Sequence, residues 1–341
     1  MKRLLIIAAT LLTAFNAAAQ MMPDSTVQVC AYWSVGDRYD YYMEHSSKKV
    51  NSQGDTVKNE LNSKILRFEV IDSTATSYQM KLTYLDEKST NQQSNMLYQL
   101  GQEKGINVPV LFTTTEMGVL VSIDNLDEIV SGYEKLIDPM IEIIVAQLPE
   151  EDKKMFDWKA MSDQLKPMIC NPQAIQTAII DEIGRLFFFH GSRLEMDHTY
   201  NMEEPLMFMM PGIENITAKT NVWLEGELTD EYSTVGRTYT CANMGEEFVK
   251  SAVQTTVDLT MNSLVAEDSL KTQAQNEIDS ILQNEELQKY QLVWEQYSTE
   301  EVHLGTGWPL NLYIDKYVKA GLDGKMEETI DSRSIEIILE D

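Results

Sequence analysis

The chain has 341 residues, 43% of them hydrophobic, and sets 27 basic side chains against 54 acidic ones for a net charge of −27 at pH 7. That surplus repels phosphate backbones and anionic headgroups, which excludes nucleic acid as a partner. Beyond the leader, no window approaches the roughly twenty apolar residues of a membrane helix; the most apolar stretch, 140–148 (MIEIIVAQL), is short and interrupted by Glu142.

The chain opens MKRLLIIAATLLTAFNAAAQ. Lys2 and Arg3 form a charged start, residues 4–15 an apolar run too short to span a bilayer, and Ala17, Ala18 and Ala19 the small residues a signal peptidase accepts. Residues 1–19 are therefore expected to be a cleaved signal peptide, with Gln20 first in the mature chain, and loss of Lys2 and Arg3 takes the charge from −27 to −29. Cys30, in VQVC, lies ten residues past that point without the small residues of a lipid-attachment site. The expected product is exported and soluble, periplasmic or extracellular, with no integral membrane segment once the signal is removed. Residues 20–37 read as an N-terminal extension.

Strands come next. Segments 38–50 (RYDYYMEHSSKKV) and 62–71 flank a polar turn whose Gly54-Asp55 suits a hairpin. Segment 76–86 (TSYQMKLTYLD) alternates polar and apolar residues, as a half-buried strand does. Two further strands are expected at 106–112 and 117–123, with Glu116-Met117-Gly118 at the bend.

The period then changes. Ile129, Val130, Tyr133, Leu136 and Ile137 fall at helical spacing, and Pro139 should end or kink that helix before 140–148 continues it. Segment 150–166 starts with acids, as a helix N-terminus prefers. Asn171-Pro172 reads as a cap and first turn, and Ile175, Ile179, Ile183 and Leu186 mark one face of the helix that follows. Residues 124–189 thus form a helical block. Strands return at 217–228 and 232–242. A second helical block follows from 245 to about 284 on Phe248, Ala252, Val257, Leu264, Leu270 and Ile278. Segments 290–304, 309–319 and 326–339 close the chain as strands, the last after an Asp323-Gly324 turn.

An internal similarity joins 36–55 to 307–325 when one residue is dropped: Gly36 meets Gly307, Tyr42 meets Tyr313, Lys48 meets Lys319 and Gly54 meets Gly324. It marks either a duplication or two hairpins of one class. Runs of strands interrupted by helices, without strict alternation, predict an α+β fold. The expected form is a large curved antiparallel sheet, half-barrel-like, with two helical blocks on one face. It would be a single domain over 38–341, divisible into two β-meander halves, 38–199 and 200–341. This element order resembles the half-barrel of periplasmic lipoprotein-carrier proteins and related envelope lipid binders. The leader and the G-x5-Y hairpin resemble uncharacterised secreted proteins of Bacteroidota. Neither resemblance brings functional residues.

Candidate chemistry is sparse. Cys30, Cys170 and Cys241 match no zinc spacing and leave disulfide pairing open. HGSRLEMDH (190–198) places His190, His198 and Asp197 close in sequence, but a helix end with Gly191 as its cap, leading into an exposed polar loop, is the expected reading rather than a metal site. Ser192 lacks the G-x-S-x-G elbow, and 124–128 and 323–328 lack the alternating ligand spacing of a calcium loop. No cofactor and no metal site is predicted.

The segment 201–213 (NMEEPLMFMMPGI) stands out. Copper would need about three converging thioethers, and in a strand Met207 and Met209 share one face while Phe208 and Met210 take the other. Burial is the alternative, since each large apolar side chain gains roughly 1.5–3 kcal/mol when covered. Pro205 and Pro211 bracket the run, as in an edge strand or extended linker. Ordinary core is the stronger reading, and Met202, Leu206, Met207, Phe208, Met209, Met210 and Trp223 are the candidate ligand-binding residues if the segment instead lines a ligand or partner surface. The leading expectation is a non-catalytic binding protein for an apolar or lipid-like ligand. A cell-envelope protein-interaction module and a hydrolase assembled only in the fold are the alternatives.

Overall fold

The computed structural model describes residues 25–104, 107–146, 148–154, 157–206, 216–226, 228, 232–244, 251, 291–322 and 325–339. The predicted signal peptide, the Asp323-Gly324 turn and, apart from Ser251, the second helical block lie outside the described residues.

The first half comprises β1 (Thr26–Gln28), β2 (Arg38–Val50), β3 (Thr56–Ser73), β4 (Ser77–Ser89), α1 (Gln92–Glu103), β5 (Val110–Thr115) and β6 (Leu120–Ile123). The helical block then supplies α2 (Leu126–Ala146), α3 (Glu150–Lys153), α4 (Trp158–Ile169) and α5 (Pro172–Leu186). After it come β7 (Arg193–Glu195), β8 (Tyr200–Leu206), β9 (Ile216–Leu224), β10 (Ser233–Met244), β11 (Gln291–His303), β12 (Pro309–Leu322) and β13 (Lys325–Ile337).

Eleven strands form one antiparallel sheet in the order β6-β5-β4-β3-β2-β13-β12-β11-β10-β9-β8. It does not close into a barrel, so β6 and β8 are its edges. The fold is α+β, as the strand runs predict. Two meanders meet where β13 pairs with β2, Ile335 opposite Met43, so the hairpins β2–β3 and β12–β13 lie side by side. Gly36 and Gly307, which precede the two hairpins, both have positive φ, 93° and 73°. At Gly307 a side chain would run into the Cys30 carbonyl, so the close approach of the N-terminal segment also requires glycine there.

Strand parity decides the inner face. Tyr41 and Met43 of β2, Leu66 and Phe68 of β3, and Met80 and Leu82 of β4 are all buried. They pack with Ile129 of α2 and Ile175, Ile179 and Ile183 of α5 in one core. The helices of this block therefore cover one face of the first half of the sheet. On the other face Tyr42, Tyr297 and Tyr313 are exposed.

Helix α2 runs through Pro139 to Ala146, the continuation expected over 140–148. Two other local expectations change. Helix α1 is an addition: Asn91 caps it by accepting from the backbone N–H groups of Gln93 and Ser94, and its apolar content is too weak to stand out as a period. The expected strand at 106–112 begins only at Val110, after Asn107 donates to the Tyr84 carbonyl.

A small ribbon of β1 and β7 sits beside a second core of Val27, Val29, Phe189, Leu224, Val302 and Leu304. Phe189 lies on Gly236 of β10, where no Cβ would fit. The three cysteines are unpaired.

Candidate functional site

A cavity of about 660 Å³ lies between the first half of the sheet and the helical block. Helix α2 contributes Ile129, Leu136, Ile137 and Met140, which its helical period brings to one side. Helix α5 contributes Ile175 and Ile179 together with the small Ala174 and Ala178, and α1 contributes Leu97 and Gly101. The small residues leave room: a Cβ at Gly101 would meet nothing within 4 Å. The volume lies in the range of sites for small organic ligands, and such sites combine apolar walls with a few placed polar groups.

The polar groups gather at one end. Lys64 is on the inner face of β3, two residues before the buried Leu66, and Tyr84 of β4 stands opposite Leu66. The Lys64 ammonium reaches Glu182 Oε1 at 2.9 Å, and the Tyr84 hydroxyl donates to Glu182 Oε2 at 2.8 Å. The same ammonium lies 4.1 Å from the centre of the Tyr84 ring. Burial opposes the Glu182 charge, yet Lys64, Arg333 and the Tyr84 hydroxyl together hold its carboxyl below the usual range. Burial, with Glu182 beside it, pushes the Tyr84 hydroxyl well above the ordinary value for tyrosine.

A bulge completes this end. Ser63 pairs with Lys88 and Ile65 with Leu85, so Lys64 alone faces Asp86 and Glu87. Asp86 takes a φ of 52°, and the extra residue shifts the strand's parity. Glu87, three positions after Tyr84, consequently lines the same cavity as Tyr84. Burial raises the pKa of the Glu87 carboxyl; Lys64 works against that rise and Glu182 adds to it. Tyr98 and Tyr133 close this end from α1 and α2.

Of the residues predicted from sequence, Met202 and Trp223 lie elsewhere. Met202 is exposed on β8, the edge strand, with Pro205 in the same strand as its bracketing role predicts. Trp223 is half-buried on β9, opposite Arg237, and neither Met202 nor Trp223 lines the cavity. Leu206 ends β8; its side chain and Met207, Phe208, Met209 and Met210 lie outside the described residues. Sequence reading missed the cavity, although one signal was present. Glu182 falls on the apolar stripe of α5, seven residues after Ile175, where a solvated carboxylate does not belong.

The histidine constellation does not assemble. His190 is buried rather than exposed, its ring packed against Trp33 and Phe187 and its Nε2 2.6 Å from the Gly307 carbonyl. His198 is exposed and packs edge-on against Tyr200. Among the described residues no group of three or more His, Cys, Asp and Glu side chains is arranged to hold a metal ion.

No protein-family model and no curated protein matches the chain. Among solved structures it is similar to lipovitellin, in a structure of that protein's lipid–protein interactions, with a TM-score of 0.41 and 8% identity. The match covers 90% of this chain and 25% of lipovitellin, so the chain spans about a quarter of that protein's length.

Proposed function

We propose that this chain is an exported, non-catalytic binding protein that holds an apolar or lipid-like ligand between its sheet and its helical block. The cavity of about 660 Å³ carries this reading, because its walls are mostly apolar side chains that a bound apolar ligand would take out of water. Export rests on the leader alone.

Native mass spectrometry of the mature protein purified from its own compartment, followed by solvent extraction, tests the reading. Excess mass that leaves as an apolar compound supports it. Ala178→Phe, which places a ring in the cavity, should abolish that mass while the protein stays folded. A bare protein that also fails to take up long-chain amphiphiles in vitro overturns it.

A further inference from the structure

The polar end of the cavity is unevenly supplied with charge. Lys64 and Glu182 are bound to each other, and these are the charges that Glu87 feels, one favouring its ionisation and the other opposing it. Glu87 itself has no hydrogen bond and no cation within ion-pair distance among the described residues. Yet the bulge at Asp86 turns Glu87 into the cavity instead of out to solvent. Tyr98 and Tyr133 line the same cavity as Glu87, and burial raises the pKa of both hydroxyls, with Glu87 adding to the rise at Tyr98 and Glu182 and then Glu87 adding to it at Tyr133. An aromatic face next to a carboxylate is the chemistry that receives an ammonium. The structure already contains one example, since the Lys64 ammonium sits over Tyr84 against Glu182.

Resting on the cavity as a ligand site, we infer that the ligand is a cationic amphiphile: a long apolar tail along α2 and α5, with an amine or quaternary ammonium head against Glu87, Tyr98 and Tyr133. The Lys64–Glu182 pair then serves as a neutral wall that positions the Tyr84 ring, and it does not contact the head as a net charge. A carboxylate head would meet Glu87 with like charge, and an alcohol would leave Glu87 without a cation.

Isothermal titration of the mature protein at neutral pH with dodecylamine, dodecanol and dodecanoic acid, each below its aggregation limit, tests this. Dodecylamine should bind about tenfold more tightly than dodecanol, the scale of a charge-assisted cation–π contact, and dodecanoic acid more weakly than either. Glu87→Gln should remove the amine's advantage over dodecanol, and a far-ultraviolet circular dichroism spectrum like that of the parent shows that the variant folds. Equal binding of amine and alcohol, a preference for the acid, or an amine advantage that survives Glu87→Gln overturns the inference while leaving the cavity reading in place. No binding of any of the three overturns the cavity reading itself.

Discussion

Lys64 and Glu182 join strand β3 to helix α5 at 2.9 Å, each with about a fifth of its side chain exposed, 21% and 19%. The pair is therefore a tie between sheet and helical block as well as a wall of the cavity. Lys64→Met leaves a largely buried carboxylate with only the Tyr84 hydroxyl and distant Arg333. The expected loss is about 2 kcal/mol, below the roughly 3–5 of a fully buried broken pair because of the remaining exposure. Adding Glu182→Leu to Lys64→Met should restore most of it. Urea midpoints of the single and double variants measure both effects, and a double variant no better than the single would show that the pair is not the tie.

His190 gives the fold an acid limit. Burial lowers its pKa to about 4 from the ordinary 6.5. The unfolded chain therefore binds the proton first as the pH falls, so stability is lost between about 6.5 and 4 and is fully present above that window. The size is on the order of 3 kcal/mol for this depth of shift. His190→Gln, which can still donate to the Gly307 carbonyl, should flatten the stability profile across that interval. A profile unchanged by the substitution would assign the acid limit to other groups.

Glu300 acts in the opposite direction. It is 1% exposed on β11, and among the described residues neither carboxylate oxygen has a hydrogen-bond partner. Its pKa is raised well above the ordinary value by burial alone. The folded state thus holds the proton, and the stability this contributes is present at low pH and lost as the pH rises through the folded pKa. Glu300→Gln removes the charge that forms there and should stabilise the protein by about 1–3 kcal/mol on the alkaline side, with less effect in mild acid. Thermal melts of the two proteins at both pH values decide it.

Gly236→Ala should destabilise by about 1–3 kcal/mol, because a methyl there overlaps the Phe189 ring and the second core must shift to accept it. The companion change Phe189→Leu should recover part of that loss in the alanine background, as read from urea midpoints. Independent, additive losses would place the strain elsewhere.

Met202 and Trp223 show where sequence reading points away from the cavity. An unusual composition draws the eye to 201–213, whereas the cavity is walled by ordinary residues such as Ile129, Leu136 and Ala178. An isoleucine that fills a core and one that borders a void have the same neighbours in sequence. Only the separation of α1, α2 and α5 from the sheet distinguishes them. Likewise His190 follows a helix and precedes a glycine, as an exposed C-terminal histidine would, and its burial depends on Gly118 and Gly307 arriving from distant turns.

By itself the sequence determined the periods. Alternation laid out the strands from Arg38–Val50 to Lys325–Ile337, helical spacing marked 124–189, and Asn171-Pro172 placed a helix start, because these depend on neighbours along the chain. The tertiary structure decided the rest. It joined β13 to β2, and it turned Glu87 inward through a single bulged residue at Asp86. It also held apart surfaces that local pattern alone would have packed together. Pairing partners and empty volume are set by contacts between residues far apart in sequence, and no periodicity of one segment records them.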